Sequence, residues 1–311
     1  MLPVSMGLKS LGHSISFHSG ASAVMARRQG CARILMYHGI VAAEAKALAA
    51  QLRYLVRNFN VVSLETMVDR LASDAGANDL VLTFDDGLRN NLSVVYPVLR
   101  ELLLPATFFV CPALIDSGKW LWNHEMRCRL QLLDMQTLSD LRIKLLAPDP
   151  SVAGIVEWMK KLGSAQRRQT EETIRAVTSN FCPTPAQQEA YDIMDWDGLR
   201  ALDPRLITVG SHTLTHPILT TLTAEETDFE LRESRRWLEE KLQRPVDFFC
   251  YPNGSYDRRA YQSARKNYRA AVSTETGALS GKDELDLHRL PRIPSGENPA
   301  LTAWRLHRPD A

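Results

Sequence analysis

An α/β fold built on a mostly parallel sheet or barrel is predicted by three features of the chain. Short apolar runs alternate with longer stretches of helical spacing, as in repeated βα units. The composition, 45% hydrophobic and 23% charged over 311 residues, is that of an ordinary globular protein able to bury a large core. The two segments richest in chemistry, Thr83-Phe-Asp-Asp-Gly87 and Ser211-His-Thr-Leu-Thr-His-Pro217, each come directly after a strand-like run. In a parallel barrel, strand ends of this kind share one face.

Taken in order, residues 1–30 form an N-terminal extension and 31–115 the first part of the barrel. Strands are predicted at 33–38, 61–63, 80–84 and 106–110, with helices at 45–58, 64–72 and 91–103 between them. The stretch 116–204 is helix-prone and charged, without a comparably strong strand-like run. It reads as a helical insertion broken by Pro148, Pro150, Pro183 and Pro185. Such an insertion after a barrel strand would lie on the active-site rim, where Trp120 and Trp122 could line a sugar-binding surface or simply anchor the insertion. Residues 205–311 resume the barrel with strands at 206–210, 246–251, 269–273 and 287–293 and helices at 224–242 and 258–266. Thr223 is the expected N-cap of the first of these helices, with Glu225 and Glu226 in its first turn. Asp195 is expected to cap a helix running toward Leu202.

The apolar run Leu80-Val81-Leu82 ends at Gly87, so Asp85 and Asp86 sit at a strand's C-terminal end and point to different sides. One can bind a metal while the other acts as a base. His212 and His216, four apart, can reach a single ion from a tight turn. One carboxylate and two imidazoles leave positions open for water and substrate, as catalytic zinc requires. An Asp-Asp-Gly alone is usually a strand-ending turn, and a His pair can be a surface pair. It is their joint occurrence that points to a metal-dependent hydrolase.

With these motifs the chain resembles the polysaccharide deacetylase family, the NodB homology domain of carbohydrate esterase family 4, over about 33–295 excluding most of the insertion. Thr83–Gly87 matches that family's first motif and His212–Pro217 its second. The resemblance implies a distorted (β/α)7 barrel, with Asp86, His212 and His216 holding a divalent metal and Asp85 as catalytic base. The metal would be Zn2+, with Co2+, Ni2+ or Mn2+ as alternatives. Tyr251-Pro-Asn-Gly254 resembles the third motif, which implies that the Asn253 backbone N–H contributes to an oxyanion hole and Tyr251 to substrate binding. The family's arginine two residues before the proline is Cys250 here, and Arg292, after the last predicted strand, is either its substitute or an ordinary surface or loop arginine. For the acid that protonates the leaving amine, His288 in Leu285-Asp-Leu-His288 has the wrong context. His38 in Met36-Tyr-His38 is preferred, as in a subgroup with a circularly permuted barrel.

The expected activity is metal-dependent de-N-acetylation of an N-acetylhexosamine in a bacterial-type glycan or glycan precursor, lipid- or nucleotide-linked forms included. The alternatives are hydrolysis of another non-peptide C–N bond, as in a cyclic amide or imide, and a non-catalytic carbohydrate-binding barrel. A formal net charge of +1 argues against nucleic acid as the main partner. Five scattered cysteines without a CxxC, and no convincing signal peptide, point to a cytoplasmic protein, peripheral to a membrane at most, with export left open. No run approaches the ~20 apolar residues of a membrane span. Oligomeric state is not legible.

Overall fold

The computed structural model describes residues 8–71, 76–280 and 285–308. Eight strands are seen: β1 (Arg33–Tyr37), β2 (Asn60–Val61), β3 (Asp79–Phe84), β4 (Ala106–Val110), β5 (Ile207–Ser211), β6 (Phe248–Cys250), β7 (Ala270–Val272) and β8 (Ile293–Pro294). All pair in parallel, in the order β7-β6-β5-β4-β3-β1-β8, with β2 beside the first half of β3. The fold is thus an α/β half-barrel surrounded by helices, a distorted (β/α)7 barrel.

Side-chain alternation divides the core into two layers, as a sheet buried on both faces requires. Ile34, Val81, Phe109, Phe248, Cys250, Val272 and Leu290 form one cluster. Their strand neighbours Leu35, Leu80, Leu82, Phe84, Phe108, Val110 and Phe249 pack in another with residues of the surrounding helices, such as Leu52, Leu55, Leu99, Leu231 and Leu238. The run Asp79–Phe84 is buried throughout, which is why it reads as continuous rather than alternating hydrophobicity.

The last strand differs from its expected extent. Instead of a continuous run over 287–293, the chain turns near Asp286–Arg289, and Pro291 interrupts pairing because it has no N–H to donate. What remains is a two-point closure. Leu290 bridges Val272 of β7, and Ile293 and Pro294 pair with Leu35 and Met36 of β1. Arg292 lies between these points.

Helices Ala45–Asn58 and Ala224–Leu242 have the expected bounds, and Thr223 caps the latter in a reciprocal capping box with Glu226. The helix expected at 64–72 is described as Leu64–Leu71; residue 72 lies outside the described residues. The helix expected at 91–103 begins as a π turn, Asn91–Val95, and continues as Tyr96–Glu101, with Leu103 in the left-handed region. Between β4 and β5 the chain is helical: Pro112–Ser117, Trp122–Leu130, Met135–Leu145, Val152–Met159, Ser164–Val177, Pro185–Tyr191 and Trp196–Arg200. Trp122, Met126, Leu130, Ile155, Met159 and Ile174 give this segment a core of its own, which meets the barrel at Ile218. Asp195 accepts from the Gly198 N–H at 2.7 Å as the cap of Trp196–Arg200.

The N-terminal helix Leu8–His18 rests against the C-terminal helix Pro299–His307, with His13 on Trp304 at 4.7 Å between ring centroids. Residues 1–7 of the extension lie outside the described residues. No described helix is long and apolar enough to cross a membrane. All five cysteines are free thiols.

Candidate active site

The strand ends of β1, β3, β5 and β6 meet at a pocket lined by His38, Asp85, Asp86, Trp122, Asn123, His124, Lys160, His212, His216, Ile218, Tyr251, Asn253, Gly254 and Thr274. Four of the eight histidines in the chain converge there. The turn after β3 explains its own sequence. Asp86 and Gly87 both have positive φ (76° and 66°), which reverses the chain and turns the two carboxylates apart. At Gly87 a side chain would also press against Val110, whose Cβ would lie 3.1 Å from the added carbon.

Asp86 Oδ1 lies 3.5 Å from His212 Nε2 and 3.4 Å from His216 Nε2. Ligand atoms about 2.0–2.1 Å from a tetrahedral ion are spaced by about 3.3 Å, so the three residues fit one divalent metal. The outer nitrogen of His212 meets the Cys250 carbonyl at 2.8 Å, which fixes the ring with Nε2 facing Asp86. The loop between the histidines is held from a helix. Glu230 accepts from the N–H groups of Leu214 and Thr215, both at 2.9 Å, and from the Thr215 hydroxyl at 2.6 Å. Thr213 Oγ1 accepts from the His216 N–H at 3.0 Å. Thr213 and His216 themselves carry φ of 68° and 59°, strained values that this clamp maintains.

Asp85 lies in a fork. Arg292 donates from both terminal nitrogens to the two Asp85 oxygens, each at 2.8 Å. The arginine is fully buried and fixed further by the Ser273 carbonyl at 2.8 Å, Thr83 Oγ1 at 3.1 Å and Cys250 Sγ at 3.1 Å. A planar guanidinium suits this bidentate geometry, where a lysine would offer a single point of charge. The small thiol at position 250 lies beside the same fork, 3.5 Å from Asp85 Oδ2, and so leaves room for it. Burial alone would raise the Asp85 carboxyl, but the Arg292 charge and hydrogen bonds more than offset it and hold the group below the usual carboxylate range. Burial pushes the Cys250 thiol up, which keeps it neutral beside the ion pair.

The remaining predicted residues divide. His38 Nε2 is 4.0 Å from Asp85 Oδ2, its side chain is 53% exposed, and its carbonyl accepts from Asn91 on the π turn at 3.0 Å. Asn253 has a left-handed backbone (φ 55°) on the pocket rim, where its side-chain oxygen accepts from Lys160 Nζ at 3.1 Å. Tyr251 also lines the pocket, but it is fully buried and its hydroxyl donates to the His288 carbonyl at 3.0 Å. That hydroxyl is therefore committed to the fold. His288 itself points to the Tyr268 carbonyl at 2.9 Å, outside the pocket lining.

The two tryptophans separate as well. Trp122 lines the pocket but packs in the core of the helical segment and donates to the His216 carbonyl at 3.3 Å. Trp120 lies in a neighbouring cavity with Lys119, Glu125, Arg129, Arg175, Phe181 and Pro183, and donates to Asp192 Oδ1 at 2.8 Å. Glu230, Asn123, His124 and Lys160 were missed by sequence reasoning. Glu230 had a signal, since it shares the buried helical stripe of Thr227, Leu231, Ser234 and Leu238, where a charge is out of place.

Residues 72–149 and 155–271 match the family model for polysaccharide deacetylase. The protein YxkH of Bacillus subtilis (strain 168), named for the same family, is 29% identical over 281 residues, covering 87% of this chain and 75% of the relative. Among solved structures, the Streptococcus pyogenes deacetylase PplD in complex with acetate superposes with a TM-score of 0.59 at 18% identity, over 90% of this chain and 98% of that one. IcaB from Ammonifex degensii gives 0.56 at 15% identity, over 89% and 97%. The extent of the family match shows that this chain belongs to the polysaccharide deacetylases, hydrolases of non-peptide C–N bonds in glycans.

Proposed function

We propose that the protein removes the N-acetyl group from an N-acetylhexosamine of a bacterial-type glycan or its precursor, in a metal-dependent reaction with Asp85 as base. The observation that carries this reading is the division of labour between adjacent carboxylates. Asp86 joins His212 and His216 in a cluster that fits one metal, while Asp85 is held ionised in the Arg292 fork beside it.

Asp86, His212 and His216 would hold the ion, and two imidazoles with one carboxylate suit Zn2+ well, with Co2+, Ni2+ or Mn2+ as alternatives. A metal held there would supply a nucleophile at neutral pH and polarise the amide carbonyl. Asp85 takes the proton of the attacking water, and Arg292 keeps its carboxylate oriented and charged. The Asn253 backbone N–H, on the rim, donates to the oxygen that becomes negative as the carbonyl turns tetrahedral. His38, 4.0 Å from Asp85 and open to the pocket, delivers a proton to the departing amine. The balance of the reaction is one water consumed, with acetate and a free amine formed.

Measuring acetate release across lipid-linked, nucleotide-linked and polymeric N-acetylhexosamines tests the reading. Release from at least one of these classes is expected. No release from any of them, together with ring opening of a cyclic amide or imide, would transfer the site to that other C–N hydrolysis.

A further inference from the structure

The pocket has a wall that neither the metal cluster nor the base accounts for. Asn123 and His124 stand in the first turn of the helix Trp122–Leu130, in the segment between β4 and β5, and both line the pocket together with the strand-end residues. Each carries a polar atom enclosed by the protein without a hydrogen-bond partner among the described residues: Asn123 Oδ1 and His124 Nδ1. Their neighbours are firmly placed. Trp122 Nε1 donates to the His216 carbonyl at 3.3 Å, and the His124 ring lies on Tyr191 with centroids 4.5 Å apart. An amide oxygen and an imidazole nitrogen enclosed without a partner are costly, and apolar side chains of the same shape would serve the fold better. The other polar end of each side chain, Asn123 Nδ2 or His124 Nε2, is not enclosed in this way and makes no hydrogen bond to the described residues, which leaves it for a ligand in the pocket.

We propose that Asn123 and His124 form a saccharide-reading pair, which hydrogen-bonds ring hydroxyls of the sugar whose acetamide lies at Asp85 and Asp86. The proposal rests on the de-N-acetylation reading and deepens it, because it assigns sugar recognition to the helical segment rather than to the barrel. A hydroxyl both donates and accepts. An amide offers both functions, and so does a neutral imidazole, whereas a cationic one only donates. Burial keeps His124 in the neutral form, its pKa lowered to about 4 despite the opposing pull of Asp86. Amide and ring can each turn over about their terminal bond, so either polar end of the two side chains can be presented to a bound sugar.

The variants Asn123→Leu and His124→Phe remove the polar groups, and the second keeps a ring against Tyr191. Each is compared with the parent for kcat/KM on an N-acetylglucosamine oligosaccharide and on 4-nitrophenyl acetate, an acetyl donor without hydroxyls. Oligosaccharide affinity is read by calorimetry on the zinc-loaded proteins. The expected result is a loss on the oligosaccharide about tenfold greater than on the ester for each variant, carried mainly by KM, as for one lost hydrogen bond at a site that must otherwise leave a sugar hydroxyl unpaired. His124→Gln, which restores a donor and an acceptor, should recover part of the oligosaccharide affinity. Equal losses on both substrates, or a loss of zinc affinity in the variants, would overturn the pairing in favour of a structural or metal-binding role. If the parent bound and deacetylated the oligosaccharide but the variants bound it equally well, this assignment alone would fall. A parent that hydrolysed the ester and bound no N-acetylated saccharide would overturn the reaction reading together with it.

Discussion

At the scale of single residues, Asp85 and Arg292 form an interaction that the fold cannot easily lose. Both are buried, and each satisfies the other through two 2.8 Å hydrogen bonds. A buried pair of this kind adds little over an apolar pair of equal volume, but breaking it leaves an uncompensated charge that costs about 3–5 kcal/mol. Arg292→Met is therefore expected to lower the unfolding free energy by about that amount in urea denaturation. Adding Asp85→Asn to the same chain should recover much of the loss, a coupling that a double-mutant cycle reads directly. A single-variant loss below about 1 kcal/mol would mean that water reaches the pair and that the fork is not what holds the base. Asp85, Asp86, His212 and His216 were legible because each motif is local and follows a strand of its own. Arg292 was legible only as one of two readings, since nothing in Leu290-Pro-Arg-Ile293 marks an arginine that crosses the barrel interior to β3.

At the scale of elements, the second motif depends on a helix that comes after it in the chain. Glu230 of Ala224–Leu242 receives three hydrogen bonds from Leu214 and Thr215, between His212 and His216. Glu230→Ala is expected to weaken zinc affinity about 10–100-fold, as loss of an outer-shell partner typically does, in a chelator competition assay. Unchanged affinity would show that the strained loop is held without the clamp. In the helical segment, Glu125 joins two helices by accepting from Arg129 at 2.8 Å and from Arg175 at 2.7 Å. Burial would raise its carboxyl, but the two arginines pull it below its usual value. A depressed carboxylate stabilises the fold fully above its unfolded pKa, about 4.3, and that contribution is lost as pH falls through the lower folded value. Protection factors of the Trp122–Leu130 amides, which allow for the slower chemical exchange in acid, should therefore fall below about pH 4 relative to pH 6, and the fall should shrink in Glu125→Gln. Asn123 and His124 sit on this same helix. They escaped the sequence reading because polar residues between a tryptophan and a glutamate look like an ordinary solvated face.

At the scale of the whole molecule, the fold was readable wherever local pattern and tertiary position agree. The alternation of apolar runs and helical spacing located β1 to β7 to within two residues at either end, and all of these but the short β2 are buried almost throughout. It failed at the closing strand, where Pro291 leaves two short contacts in place of a ladder. It also failed to say how Trp120 and Trp122 divide between a side cavity and a packed core, since an aromatic residue reads alike in both. The pieces it could not assemble are those that long-range packing brings together: Arg292 from the closing segment, Glu230 from a helix, and Asn123 and His124 from the segment between β4 and β5.

The central claim is that Asp86, His212 and His216 hold a metal for a hydrolysis in which Asp85 is the base. Acetate release from an N-acetylglucosamine oligosaccharide, followed while zinc is titrated into chelator-stripped protein, tests it most directly. Activity should be absent without metal and reach its plateau near one equivalent in the parent. Asp85→Asn should take up zinc yet stay about 10²–10⁴-fold slower at that plateau. Turnover that persists in the stripped parent, or an Asp85→Asn curve that reaches the parent's plateau, would contradict it.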